Sequence, residues 1–226
     1  KVLRIDVDHA AAGKTYAVPA DNPFVGTKGA RGETWAYGLR NPWRMATDPF
    51  TGHIWVGNNG QDLWEQIFLV RKGDNYGWSV YEGGHPFYLQ RKLGPTPHVK
   101  PIFDHPHSEA RSMTGGIVYT GDRWKELHGA YVYGDYSTGK IWAAKMKQDR
   151  LAWHREIADT SLAIAGFGED AAGELLVVDY HKGVNLYGLR PAPRPSQDAT
   201  RFPRRLRDTG LFDSVSDHRV HAALIP

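Results

Sequence analysis

Short runs rich in β-branched and aromatic residues recur from Lys1 to about Arg190: "KVLRID", "HIWVG", "QIFLV", "GGIVYT", "AYVYGDY", "KIWAAKM", "ELLVVDY" and "VNLYGL". Each is long enough for a strand and too short for a helix that could bury an apolar stripe. Glycine, asparagine and aspartate stand between them, the residues of tight turns. Few stretches show helical period, so the pattern favours an all-β sandwich, barrel or propeller over an α/β sheet with crossover helices.

Three segments repeat one plan. In "TDPFTGHIWVGNNG", "WKELHGAYVYGDYSTGKIW" and "GEDAAGELLVVDYHKGVNLYGL", a turn ending in Gly52, Gly129 or Gly173 leads into an apolar strand that closes on a small or acidic turn. Gly129 and Gly173 are 44 residues apart, within the roughly 40–50 residues of one four-stranded propeller blade. Gly52 and Gly129 are 77 apart, too far for one blade and too close for two, so an insertion is expected between them. The stretch from Gly83 to Arg111 supplies it: rich in proline and histidine and poor in strand pattern, it reads as a long loop over one face of the scaffold. After Arg190, "PAPRPSQDATRFPRR" denies both helix and sheet ladder. The expected plan is a β domain over 1–190, a Pro-rich linker over 191–205, and the start of a following segment or domain over 206–226.

Hydrophobic residues at 41% and aromatics at 12% suffice for a core, and no apolar run is long enough to span a membrane. The 28 basic and 25 acidic residues are interspersed, "RFPRRLR" excepted, which argues against a nucleic-acid stripe. With no cysteine, disulfides, thiolate metal sites and cysteine nucleophiles drop out together. A start at Lys1 without initiator Met or leader leads us to expect a fragment.

In "WAYGLRNPWRM", Arg40 and Asn41 stand side by side ahead of Pro42, which biases Asn41 away from helix. A permanent cation beside a neutral amide could be a loop ornament or a ligand clamp. "GNNGQDLWE" crowds Asn58, Asn59, Gly60, Gln61, Asp62 and Glu65 into one turn, an oxygen set suited to calcium and equally to a solvated hairpin. His98, His105 and His107 lie close in sequence, but Pro106 between two of them makes a poor zinc pattern. They read as contacts to a polar ligand or as loop filling, with Glu109 and Arg111 as a charged rim.

The ordered succession "WAYGLRNP", "GQDLWEQI", "KGDNYGW", "HSEARSMTGGIVYTG", "GAYVYGDYSTGKIW" and "FGEDAAGELLVVDY" resembles the soluble pyrroloquinoline quinone (PQQ) dependent sugar dehydrogenases of the glucose/sorbosone dehydrogenase family. The resemblance runs from Lys1 to about Arg190 and is most specific at Tyr37–Pro42 and Asn75–Trp78. It implies an all-β fold, a six-bladed β-propeller, of which this chain is the second half: about three blades, the closing strands of the one before, and an irregular C-terminal tail.

By position, the resemblance implies that Arg40, Asn41 and Lys140 hold PQQ and that backbone oxygens of Asn59, Gly60 and Gln61 lie against a calcium ion. An arginine fork suits the carboxylates of that cofactor. The family's general base is a histidine in the amino-terminal blades, and His98, His105 and His107 do not match it. No catalytic residue is therefore assigned, and the fragment alone is expected to be inactive. Thr120 stands where a basic residue is often found, and Trp43 where glucose-specific members carry glutamine, which sets glucose specificity aside. The function implied is part of a periplasmic or secreted quinoprotein oxidising an aldose or related sugar at its anomeric carbon, with hydride transfer to PQQ. Its electron acceptor is left open, with a cytochrome as one candidate partner, and neither nucleic acid nor a membrane span is expected. The alternative is a non-catalytic propeller that binds a carbohydrate or protein through its loop face.

Overall fold

The computed structural model describes residues 1–148, 150–192, 209, 211–217 and 219–220, and among them there is no helix. The chain divides into two units, Lys1–Leu189 and Arg190–Pro226.

In the first unit, β1 (Val2–Leu3) pairs with β2 (Thr34–Ala36) as a two-stranded sheet. A four-stranded antiparallel sheet follows, built from β3 (Asn41–Thr47), β4 (Ile54–Asn59) and β5 (Trp64–Val70). After the small hairpin of β6 (Tyr81–Glu82) and β7 (His85–Pro86), β8 (Phe103–Pro106) closes that sheet in the order β3-β4-β5-β8. The next sheet is a meander of β9 (Met113–Val118), β10 (Tyr131–Asp135), β11 (Lys140–Lys147) and β12 (Arg150–Asp159). A three-stranded sheet of β13 (Ile164–Glu169), β14 (Leu175–Asp179) and β15 (Asn185–Gly188) comes last. In the second unit, β16 (Phe212–Ser214) and β17 (Arg219–Val220) pair antiparallel. The expected linker lies, beyond residue 192, outside the described residues.

The period-two alternation of the strands decides how the sheets stack. Trp55, Ile67 and Leu69 face one core, whereas their neighbours Val56, Phe68 and Val70 face another. In the next sheet, Tyr131, Tyr133, Trp142 and Ala144 join the first of these cores, while Val132, Ile141 and Ala143 turn to a third, shared with Ile164, Leu175 and Val177 of the last sheet. Sheets and cores therefore alternate, each sheet buried by its neighbours, as in consecutive propeller blades. At the middle of this stack the rings of Trp55 and Tyr131 lie parallel, 4.5 Å apart.

The repeated turn glycines do what their spacing demands: Gly52, Gly129 and Gly173 all hold φ between +72° and +76°, where a side chain would be strained. The segment from Gly83 to Arg111 departs from expectation. It is not only a loop, because Phe103–Pro106 runs antiparallel to β5, with Glu65 opposite His105 and Ile67 opposite Phe103. "FDHP" shows no apolar alternation and ends in proline, which an edge strand tolerates because its outer N–H has no ladder partner to lose.

Candidate functional site

Each of the three larger sheets brings two features to one place: the start of its first strand, and the turn between its second and third strands. Arg40 and Asn41 with Asn59–Gln61, Ser112 and Thr114 with Tyr136, and Ala165 with Tyr180 all line a single cavity of about 650 Å³. A repeated side chain ties the two features together. Asn58 Oδ1 accepts the Asn41 N–H at 3.0 Å, Asp135 Oδ2 accepts those of Arg111 and Ser112 at 2.9 and 2.6 Å, and Asp179 Oδ1 accepts that of Ala163 at 2.8 Å. The residue after each of these, Asn59, Tyr136 or Tyr180, reaches the cavity wall. The sequence already carries this repeat as "NN", "DY" and "DY" at matching strand ends, a signal the sequence reading passed over.

Arg40 and Asn41 thus share a cavity with the bend at residues 59–61. Arg40 Nε donates to Gln61 Oε1 at 2.8 Å and its guanidinium lies over the Trp78 ring. This braces the fork while its two terminal nitrogens carry no hydrogen bond among the described residues. Arg44 and Arg111 also line the wall, and the only carboxylate among the lining residues is that of Glu65. Arg44 Nη2 is steadied by the Ala165 carbonyl at 3.0 Å, and Arg111 Nε by that of His107 at 3.0 Å. Three guanidiniums against one carboxylate favour an anionic ligand.

The bend has a built polarity. Buried Glu82 accepts, through Oε1, the consecutive N–H groups of Gln61, Asp62 and Leu63. In a trans peptide the carbonyl points opposite to the N–H, so the oxygens of Gly60, Gln61 and Asp62 turn away from Glu82. None of the three accepts a hydrogen bond among the described residues. Gly60 is obligatory, since a Cβ there would sit 1.7 Å from the Trp64 carbonyl oxygen. Beside it, Asn59 Oδ1 is buried without a partner, a state that costs about 1–3 kcal/mol unless a ligand relieves it. Free carbonyl and amide oxygens of this kind suit a hard cation, and the arginine set suits a polycarboxylate. Among the described residues no cluster of three or more His, Asp or Glu could hold a metal by itself, so a cation here would need further oxygens from a co-bound ligand.

The other sequence candidates scatter. Lys140 does not line the cavity: its ammonium pairs with Glu156 at 2.7 Å, which raises its pKa. Thr120 donates to Glu169, also away from the wall. Trp43 is on the wall and 62% exposed. The three histidines part company. His98 bonds the Gly83 carbonyl and stacks on Tyr81. His105 is buried between Glu109 and the Tyr133 hydroxyl, and burial lowers its pKa. His107 alone faces the cavity, with Nε2 3.0 Å from Oε1 of buried Glu65. That pairing was invisible in sequence, because it joins residues 42 positions apart.

Residues 1–187 match the family model described as Glucose / Sorbosone dehydrogenase. The HIPL1 protein of Arabidopsis thaliana is 35% identical over 165 residues, covering 63% of this chain and 24% of that protein. Aldose sugar dehydrogenase YliI of Escherichia coli (strain K12) is 42% identical over 67 residues, 30% of this chain and 18% of that protein. The Homo sapiens Hedgehog-interacting protein is 27% identical over 218 residues, 86% of this chain and 28% of that protein. Among solved structures, a glucose dehydrogenase superposes with a TM-score of 0.67 at 24% identity, over 80% of this chain and 53% of that one. The PQQ-bound aldose sugar dehydrogenase of Streptomyces coelicolor gives 0.54 at 20% identity, over 74% and 46%. The chain thus spans 18–28% of the length of these curated relatives and about half of the solved chains. With sheets stacked as partial blades and a family match over most of its length, the chain belongs to the glucose/sorbosone dehydrogenase family as part of a β-propeller.

Proposed function

We propose that this chain forms the cofactor face of a quinoprotein that oxidises an aldose or related sugar, acting outside the cytoplasm. The observation that carries the reading is the convergence of Arg40, Asn41 and the Asn59–Gln61 bend on one arginine-lined cavity. Bound there, PQQ with calcium would supply a hydride acceptor whose quinone oxygen the cation polarises. The free fork of Arg40 would take a carboxylate, with Arg44 and Arg111 as further cations. The Asn41 amide would orient a carbonyl oxygen. Asn59 Oδ1 and the Gly60 and Gln61 carbonyls would face the cation, held by the grip of Glu82 on the other side of the bend. The test is to load the whole protein with PQQ and calcium and follow dye reduction with a panel of aldoses. We expect uptake and sugar-dependent turnover, and absence of uptake overturns the proposal.

A second reading is supported by the position of Lys140, away from the cavity, and by the Hedgehog-interacting relative. On that reading the propeller does no chemistry and binds a carbohydrate or protein through its loop-bearing face. A glycan array and a pulldown with the whole protein would show ligands whose binding is lost in loop variants at Glu109 and Arg111, with no quinone uptake.

A further inference from the structure

Glu82 can orient the bend at residues 60–62 only if Glu82 is itself held in place, and its own element is slight. β6 and β7 pair at just two positions, Tyr81 with Pro86 and Glu82 with His85, and a hairpin of this size is marginal by itself. Its support comes from the insertion that follows. The Gly83–Gly84 turn lies directly on the carboxylate of Asp104 in β8, and the Gly84 N–H donates to both of its oxygens, at 3.3 and 3.2 Å. The approach is so close that a Cβ on Gly83 would collide with Oδ1, and one on Gly84 would stand 2.7 Å from Oδ2. His85 Nε2 lies 3.5 Å from the same Oδ2, and its ring stacks on that of Trp64 with centroids 3.8 Å apart. Trp64 begins the strand that leaves the bend. Within the same insertion, His98 bonds the Gly83 carbonyl at 3.0 Å and stacks on Tyr81.

We propose that the insertion acts on the cavity through this hairpin: Asp104 is a positioning residue that, with His85 and His98, holds Glu82 against the Gln61–Leu63 N–H groups and so aims the Gly60–Asp62 carbonyls at a bound cation. The identity of that cation as calcium rests on the quinoprotein reading above. Each N–H shares a rigid peptide plane with the carbonyl before it, so slack in the Glu82 carboxylate passes straight to the oxygens on the cavity side. Groups that orient a metal's ligands, without touching the metal, set its affinity through the freedom they deny those ligands. Asp104 does not line the cavity, and its part is therefore separate from that of a ligand. The insertion thus serves the site by bracing the bend from behind.

Two measurements on the whole protein test this. Hydrogen exchange, followed by NMR without any cofactor, reads the grip: Asp104→Ala should speed exchange at the Gln61, Asp62 and Leu63 amides by about 10-fold and leave the β10–β11 ladder protected. Asp104→Asn, which still offers the Gly84 N–H an acceptor, should exchange like the wild type. His85→Ala leaves β8 untouched and carries the same expectation at the bend should Asp104→Ala fail to fold. Unchanged exchange at the three amides in Asp104→Ala, or in His85→Ala in its place, overturns the inference. With PQQ present, calorimetric titration should show calcium affinity reduced about 10-fold in the variant with the looser bend and kept in Asp104→Asn. Faster exchange with unchanged calcium affinity overturns the inference and leaves the functional reading standing. Failure of uptake in the wild type defeats the functional reading, and the exchange rates then decide the clasp alone.

Discussion

At the level of single side chains, the site separates two cations that sequence position had grouped. Arg40 has Nε committed to Gln61 and its terminal nitrogens free at the cavity, whereas Lys140 is spent on Glu156. A charge-assisted hydrogen bond is worth about 1.5–3 kcal/mol, so Arg40→Ala should weaken quinone binding by roughly 10- to 150-fold in a fluorescence titration. Lys140→Ala should leave affinity within about twofold. Equal losses from the two variants would show that the cofactor does not sit on the Arg40 side of the fold. Arg40 entered through the family resemblance, since the pair by itself reads equally as loop ornament or clamp, and the fold sets it on the cavity wall. Lys140 was carried over by position from the same resemblance, and its pairing away from the cavity could not be read in sequence because its partner lies in β12, 16 residues away.

At the level of elements, β8, β10 and β12 are joined by a polar relay inside an apolar core. His105 on β8 and His154 on β12 both bond the Tyr133 hydroxyl of β10, at 2.8 and 2.7 Å, and His105 Nδ1 meets Glu109. Because Glu109 takes the Nδ1 proton of His105, Tyr133 donates to His105 and His154 donates to Tyr133. Burial, with the nearby His105 second, lowers the pKa of His154 to about 4, against about 6.5 when unfolded. The unfolded chain therefore binds the proton first as pH falls. Stability is fully present above about 6.5 and drains away as pH drops toward 4. The ring is only partly buried, so the effect is discounted to about 1 kcal/mol, or roughly 2–4 °C in melting temperature for a domain of this size. Calorimetry between pH 7 and 4 should show that drop, and His154→Gln should flatten it. An equally steep slope in the variant would assign the acid sensitivity to other groups. None of the relay could be read from sequence, because β8 closes one sheet while β10 and β12 lie in the next with β11 between them, so only the packing of the two sheets brings the three side chains together.

For the molecule as a whole, the legible part was the repeat and the illegible part was its depth. Turn glycines at 52, 129 and 173 and the apolar strands after them announced blades. β12 and β13 passed unnoticed, because their exposed or mixed faces break the alternation that betrays a strand. The site was half legible for the same reason: the first-strand starts are marked by unusual residues, but the turns that meet them lie far away in sequence. In a stack where each sheet buries its neighbour, stability depends most on the side chains between sheets. Trp55, 2% exposed and stacked on Tyr131, sits between the two four-stranded sheets, while Trp43, 62% exposed, lines the cavity. Trp55→Ala should cost about 3–5 kcal/mol in chemical unfolding, and Trp43→Ala within about 0.5 kcal/mol, although both remove the same indole. If Trp43→Ala proved as destabilising as Trp55→Ala, the face-to-face packing of the two four-stranded sheets would not be what holds this fold, and the cavity between their strand ends would lose its frame.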